Sequence, residues 1–104
     1  MKKKTSKRVK IETTPYDPAD YLETPKDCAA YLEAAMEEAP GDVAFFASAL
    51  GDVARSKGMT KIAKAAGVSR ETLYRSLSAD GNPGLQTVFR VLDFLGIRFA
   101  VKAA

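Results

Sequence analysis

Apolar side chains recur at helical spacing along most of the chain. The clearest stripe spans residues 42–57, where apolar positions follow the i, i+3, i+4, i+7 pattern of one helix face. Its members are Val43, Phe46, Ala47, Leu50, Val53 and Ala54. We predict a helix from about Asp42 to Lys57 that Gly58 ends, because glycine is the usual residue just past a helix.

An earlier helix is predicted from the residues that can begin and end one. Thr24 is suited to cap the first turn, and Pro25 is tolerated at the first helical position because its missing N–H has no partner there. Asp27 in the first turn is favourable because its negative charge lies near the positive end of the helix dipole. The pair Pro40-Gly41 ends the helix. Apolar positions follow at helical spacing: Cys28, Leu32, Ala35, Met36 and Ala39.

Two short helices are predicted in the stretch KIAKAAGVSRETLYRSL, residues 61–77. The first runs from about Thr60 to Ala66, and Gly67 follows where a tight turn needs a residue that tolerates positive φ. Ser69 caps the second, which ends near Ser78. Ile62, Ala63 and Ala66 point inward from the first helix, and Val68, Leu73 and Leu77 point inward from the second.

A fifth helix and a strand are predicted after the loop SADGNPG, residues 78–84. The helix runs from about Leu85 to Leu95, Gly96 caps it, and its expected buried residues are Leu85, Val88, Phe89, Leu92 and Leu95. Ile97, Phe99 and Val101 then alternate with polar or small residues, which is the period of a strand. Because a lone strand leaves its backbone groups unpaired, we expect it to pair with the same strand of a second copy across a dimer, or with an edge strand of another protein.

The predicted architecture is one all-α domain of five helices, over residues 25–104. Residues 1–24 precede it as a basic tail followed by an extended segment, PYDPADYLET, rich in proline and tyrosine. At 104 residues the chain has room for one modest core. Tyr16, Tyr21 and Leu22 either pin this segment to its own domain or are held for another chain.

Composition argues against an enzyme. The chain has no histidine and one cysteine, Cys28, so the usual zinc clusters and the Ser-His or Cys-His nucleophilic pairs are excluded. No acidic pair is placed for catalysis, and we expect no cofactor and no metal. The absence of an internal disulfide fits a reducing compartment. Without a signal peptide or a membrane-spanning run, a cytoplasmic location is expected.

The net charge of +3 is unevenly distributed. Residues 1–10 carry six cations and no acid, whereas residues 11–51 carry nine acids against Lys26 alone. Residues 52–78 return to six cations against two acids. A basic segment that coincides with the two short helices is one that a phosphate backbone would attract. The acidic segment would be repelled from DNA and is expected to face a different partner.

Two short helices around a glycine, with a polar second helix, match the helix-turn-helix arrangement that reads DNA. Arg70 and Arg75 are the best candidates to bond guanine, and Glu71 either accepts from cytosine or orients Arg75. The other candidates contact phosphate or a base edge: Lys61, Lys64, Ser69, Thr72, Tyr74 and Ser78. For each residue taken singly, a solvated surface is the alternative.

The chain resembles a known family over roughly residues 15–102. The segments YDPADYL, AAYLEAAMEE and LGDVARSKGMTKIAKAAGVSRETLYRSLSADGNPGLQTVFRVLDFLGIRFAV are similar to the probable addiction-module antidote proteins, HigA-like antitoxins of the Xre/Cro-type helix-turn-helix class. GMTKIAKAAGVSRETLYRSLS and DGNP carry the resemblance at family level. Tyr16 stands where the family often has phenylalanine, a conservative difference.

The resemblance implies a lambda-repressor-like helix-turn-helix domain and two partners. One is a RelE/ParE-like toxin, which the protein would neutralise, in a homodimer or a toxin–antitoxin heterotetramer. The other is double-stranded operator DNA, through which it would repress its own operon. Such toxins are generally basic, so the acidic segment is a suitable complement. Expected toxin contacts are Tyr16, Asp17, Tyr21, Leu22, Glu37 and Glu38. Tyr21 and Leu22 packing on their own domain is the alternative. A stand-alone Xre-family repressor and a pure interaction module are the competing functions.

Overall fold

Five helices make up the regular structure of residues 22–104, the part of the chain that the computed structural model describes. They are α1 (Pro25–Glu38), α2 (Val43–Lys57), α3 (Met59–Ala66), α4 (Arg70–Ser76) and α5 (Leu85–Leu95). The prediction of five helices is confirmed, and the predicted ends agree within two residues. Tyr16, Asp17, Tyr21 and the basic tail lie outside the described residues. The division of the chain at residue 24 stays a prediction.

The first turn of α1 is fixed by a reciprocal cap. The Thr24 hydroxyl accepts a hydrogen bond from the N–H of Asp27 at 3.1 Å, and the Asp27 carboxylate accepts from the N–H of Thr24 at 3.1 Å. The N–H of Glu23 donates to the same carboxylate. These N–H groups, that of Thr24 first, hold the pKa of Asp27 below its ordinary value. The predicted start of α1 is therefore confirmed, and it rests on local chemistry.

Helix α2 carries the centre of the core. Ala47, Leu50, Val53 and Ala54 are fully buried. Two residues at the ends of the predicted apolar stripes are not buried. Val43 is exposed at the start of α2, and Met36 is exposed near the end of α1. The expectation that they face the core is wrong, because within residues 22–104 no other helix covers the corner where α1 turns into α2.

Gly51 lets α2 lie directly against the end of α4. A Cβ atom at this position would overlap the carbonyl oxygen of Leu77, far inside the 3.0 Å that real Cβ atoms keep. Gly81 has the same role in the loop after α4, where a Cβ would overlap the carbonyl oxygen of Ser76. Both positions require glycine because backbone approaches backbone at each of them.

Helix α5 buries part of the predicted face. Val88, Leu92 and Leu95 are buried as expected, together with Val91, which the prediction left out. Leu85 and Phe89 are 66% and 50% exposed, so their predicted burial is wrong. The periodicity of α5 has apolar residues on both flanks of the buried stripe, and the neighbouring helices cover one side of it only.

Residues 97–104 form no regular structure, and no strand occurs in the described range 22–104. The predicted strand is therefore absent from the single chain. The N–H of Ile97 donates to the carbonyl of Leu92 at 2.9 Å. Ile97 and Phe99 are half-buried against the core, whereas Val101 is fully exposed. The segment is held by its side chains, and its pairing with a second chain stays a prediction.

Candidate nucleic-acid interface

Helices α3 and α4 are joined by a turn of three residues whose geometry is set by Gly67. Gly67 has φ 75° and ψ 28°, the left-handed conformation that favours glycine. Its N–H reaches the carbonyls of Ala63 and Lys64, and the N–H of Val68 donates to Ala63 at 3.1 Å. Ser69 then caps α4, because its hydroxyl accepts from the N–H of Thr72 at 3.0 Å. The predicted glycine turn and serine cap are confirmed.

The inward faces of the two helices are almost completely covered. Ala63 is 3% exposed, Leu73 is fully buried and Leu77 is 1% exposed. Val68 is half-buried and packs against the same core. As predicted, the apolar residues of both helices are inward, which leaves their polar residues outside.

The outer surface carries most of the predicted DNA-reading residues. The exposed ones are Lys61, Lys64, Ser69, Arg70, Glu71, Tyr74 and Arg75, and the half-buried ones are Thr72 and Ser78. Two of the hydroxyls are already bonded within the domain. Ser69 donates to Thr72 Oγ1 at 2.8 Å, and Ser78 donates to the carbonyl of Arg75 at 2.8 Å. The hydroxyl proton of Thr72 is thus more available to a phosphate than that of Ser69.

Arg70 is held over the ring of Tyr74, one helical turn further on. Its guanidinium carbon lies 5.5 Å from the ring centroid, and Nη2 donates to the tyrosine oxygen at 3.4 Å. This arrangement limits the directions in which the guanidinium points. Arg75 has no such support. The predicted alternative, in which Glu71 orients Arg75, is not seen: within the described residues these two side chains form no ion pair.

Four of the six cations between residues 52 and 78, those on α3 and α4, make no ion pair within the described residues. Arg55 is paired with Asp52, and Lys57 Nζ donates to the carbonyl of Glu23 at 2.9 Å. The cations on α3 and α4 make no ion pair within the described part of the chain: Lys61, Lys64, Arg70 and Arg75. Local positive charge is therefore concentrated on the α3–α4 surface.

Arg90 also lies beside the turn, and sequence reasoning missed it. Its Nη1 donates to the carbonyl of Ala66, the last residue of α3, at 3.2 Å. The guanidinium stands 3.0 Å from the position that a Cβ on Gly67 would take. The two partners are 24 positions apart in sequence, so no local pattern signals the contact.

The residues predicted to contact a toxin or a second copy are only partly exposed. Leu22 is 8% exposed and belongs to the core, so it is unavailable to a toxin while the domain is folded. This position fits the alternative in which it packs on its own domain. Glu37 and Glu38 are exposed in the last turn of α1. Of the three strand residues predicted to pair across a dimer, Val101 is fully exposed, whereas Ile97 and Phe99 are half-buried.

The described residues show neither a metal site nor a membrane span. No group of three or more potential metal-ligating side chains occurs in residues 22–104. None of the five described helices combines the length and the apolar character needed to cross a bilayer. The single described cysteine, Cys28, is 1% exposed, and burial raises the pKa of its thiol.

Comparison with known proteins places the chain in a family. A family model described as "Probable addiction module antidote protein" matches residues 12–103. An uncharacterised protein of Haemophilus influenzae is 39% identical over 87 residues, which cover 84% of this chain and 88% of the relative. No solved structure matches significantly. The chain belongs to the family of probable addiction module antidote proteins.

Proposed function

We propose that the protein is the antitoxin of a type II toxin–antitoxin module and also the repressor of its own operon. As an Xre/Cro-type, HigA-like protein, it would neutralise a RelE/ParE-like toxin through one surface and bind operator DNA through another. The observation that carries the DNA-binding half is the exposed, unpaired set of cations on α3 and α4. Family membership carries the antitoxin half.

In this proposal α4 enters the major groove as the second helix of a helix-turn-helix. Arg70 and Arg75 bond to guanine O6 and N7, and the stacking of Arg70 on Tyr74 reduces the entropy that is lost when the contact forms. Lys61 and Lys64, on the exposed side of α3, neutralise phosphates. Thr72 adds a hydroxyl near the start of α4.

Base readers and phosphate contacts are distinguished by substitution. Arg70→Ala and Arg75→Ala are each expected to lower operator affinity by about 1–3 kcal/mol and to relax specificity. Lys61→Ala is expected to weaken binding to all DNA sequences equally and to reduce the slope of log affinity against log salt concentration by about one. Lys26→Ala, an exposed change on α1, is the control. Unchanged operator binding by both arginine variants would refute α4 as the reading helix.

The toxin-facing surface is proposed on the acidic half of the chain. From residue 27 to residue 54 there is no lysine or arginine. Glu37 and Glu38 lie in the last turn of α1, where the helix dipole disfavours negative charge, so they weaken the helix without compensation from a neighbouring cation. Met36 and Phe45 are 48% and 40% exposed at the same corner. Apolar contacts rimmed by acids suit a basic protein partner.

Co-expression with the adjacent open reading frame tests the antitoxin half directly. The proposal is supported if a partner co-purifies in stoichiometric amount and if the double substitution Glu37→Lys and Glu38→Lys weakens or abolishes its binding. Lys26→Glu, which adds charge of the opposite sign elsewhere on α1, is the matched control. If the protein emerges alone and still binds its own promoter, the protein is a stand-alone repressor.

The stand-alone repressor is the second candidate because Leu22 packs into its own core. Deletion of residues 1–21 separates the two functions, because the shortened chain keeps both Leu22 and the Thr24 cap. An antitoxin that uses Tyr16 and Tyr21 loses toxin binding in this variant while the domain still folds. If the truncated chain still binds the toxin, residues 1–21 are not required for toxin binding, and the corner formed by α1 and α2 remains the proposed contact.

A further inference from the structure

Arg90 reaches from α5 to the end of α3, where the turn before α4 begins. It is an exposed residue, and its Nη1 donates to the carbonyl of Ala66, the last residue of α3, at 3.2 Å. Helices α3 and α5 pack against each other. The guanidinium is therefore fixed beside the turn by a helix to which Arg90 does not belong.

Gly67 leaves room for this guanidinium. Nη1 stands 3.0 Å from the position that a Cβ on Gly67 would take, so a larger residue there would crowd it. Gly67 is itself exposed, which means that the turn meets solvent at this point. A ligand that approaches the turn from outside thus finds the guanidinium beside a residue without a side chain.

The bond to Ala66 leaves the charge of Arg90 uncompensated. A backbone carbonyl is neutral, and Arg90 makes no ion pair within residues 22–104. A guanidinium has five N–H donors, whereas the hydrogen bonding of Arg90 to the described residues involves Nη1 alone. The remaining donors and the positive charge suit an anion with several oxygens, such as a phosphate.

Capping of α3 is the simpler role for such a contact. A cation is favoured at the C-terminal end of a helix, and the last carbonyls of a helix lack partners of their own. The neighbouring charges point to a further role. Lys64 lies in the last turn of α3, and Arg70 begins α4 four residues after Ala66; both are exposed and make no ion pair in the described part of the chain. A neutral donor would bond the carbonyl without adding charge to a surface that is already basic.

We propose that Arg90 is a phosphate-binding residue of the DNA interface. The Ala66 carbonyl holds the guanidinium beside the turn, and its remaining N–H groups bind the phosphodiester backbone of duplex DNA. This inference rests on the proposed function and extends the DNA-binding surface from α3 and α4 to a third helix. Phosphate contacts carry no sequence information but fix how a protein sits on the duplex. Because Arg90 is bonded next to the turn that leads into α4, its phosphate contact fixes α4 relative to the DNA backbone.

Fluorescence anisotropy at several salt concentrations tests this role, with labelled promoter DNA of the operon and with an unrelated duplex. Arg90→Gln removes the charge but keeps an N–H donor. It should weaken binding to both duplexes by a similar factor and reduce the slope of log affinity against log salt concentration by about 0.9. The loss of affinity should therefore be about 3.5-fold larger at about 50 mM salt than at about 200 mM. Arg90→Lys keeps the charge and should keep the slope.

Lys26→Gln is the matched control, since it removes one exposed positive charge from α1 and changes the net charge equally. A purely structural role of Arg90 gives another pattern. Arg90→Gln would then lower the free energy of unfolding and the affinity for promoter DNA, while the salt slope and binding to the unrelated duplex stay at the wild-type values. That result, or an equal loss of slope in Lys26→Gln, would overturn the proposal.

Neutral phosphate analogues identify the contact itself. Promoter duplexes that each carry one methylphosphonate should include one that binds the wild type more weakly yet binds Arg90→Gln as well as the unmodified duplex does, because changes at both ends of one contact are not additive. If every position that weakens the wild type weakens Arg90→Gln equally, Arg90 binds no phosphate. Should Arg90→Gln fail to fold, modification of the wild type by an arginine-selective dicarbonyl reagent replaces it. Either duplex is expected to protect Arg90, and labelling at an unchanged rate would contradict the contact.

Failure of this inference is separable from failure of the proposed function. If the wild type binds neither duplex, the DNA-binding proposal fails and takes this inference with it. If Arg70→Ala and Arg75→Ala weaken promoter binding while Arg90→Gln leaves affinity and salt slope unchanged, α4 remains the reading helix and Arg90 only caps α3.

Discussion

Substitution of Gly51 by alanine sets two known effects against each other. Gly51 lies inside α2, where alanine ordinarily stabilises a helix by about 1 kcal/mol relative to glycine. The structure predicts the opposite sign, because the new Cβ would overlap the carbonyl oxygen of Leu77. That oxygen is backbone and cannot rotate away as the tip of a side chain does. The clash must be relieved by moving α2 away from the end of α4.

The size of the effect follows from the same contact. Overpacking a close-fitting interior costs about 1–3 kcal/mol, and a backbone obstacle should bring the penalty to the upper part of that range. After the helix-propensity gain is subtracted, Gly51→Ala should lower the free energy of unfolding by about 1–2 kcal/mol. For a domain of this size each kcal/mol lowers Tm by about 4–8 °C.

Urea denaturation followed by circular dichroism measures the change, and an unaltered m-value shows that the denatured state is the same. Gly84→Ala is the control, since nothing lies within 4 Å of its added Cβ and its backbone is extended. The control should stay within about 1 kcal/mol of the wild type. Stability of Gly51→Ala equal to or above that of the wild type would falsify the close approach of α2 and α4.

Three further predictions concern local features of the fold. Because the pKa of Asp27 is lowered on folding, its carboxylate stabilises the folded state at pH values above its ordinary pKa of 3.8, and this stabilisation is lost as the pH falls through the pKa of the folded state. The difference in unfolding free energy between the wild type and Asp27→Asn should therefore shrink as the pH is lowered, which urea titrations at several pH values measure. Cys28 should react with a thiol reagent in urea and resist it in buffer, because the thiol is buried; rapid labelling of the native protein would contradict this. Gly67→Ala should cost about 1–2 kcal/mol of folding free energy at its φ of 75°, with Gly67→Asn milder, as thermal melts can show.

What the sequence predicts well here is determined by chemistry close along the chain. Thr24 and Ser69 cap helices through hydrogen bonds to residues three positions away, and Gly67 ends a helix by its own conformation. The exposed cations of α3 and α4 followed from the same local pattern, since the helical period separates them from Leu73.

What the sequence does not predict depends on distant neighbours. The helical period of α5 gives an apolar stripe but not its edges, so Leu85 and Phe89 were assigned to the core while Val91 was left out. The contact between Gly51 and Leu77 joins α2 to the residue that follows α4, and only the fold reveals why glycine is required. The stacking of Arg70 on Tyr74 is local, yet a sequence does not specify which rotamer is adopted.

The shortness of α4 determines how the DNA-reading surface comes apart. Its seven residues are far below the roughly 12–15 at which an isolated helix becomes even marginally stable in water. The helix therefore exists because Leu73 and Leu77 are anchored in the common core. Amide hydrogens of α4 should then exchange with solvent at the rate of global opening, like those of α2, instead of fraying independently. In the language of foldons, the surface that reads DNA and the core that supports it form one cooperative unit.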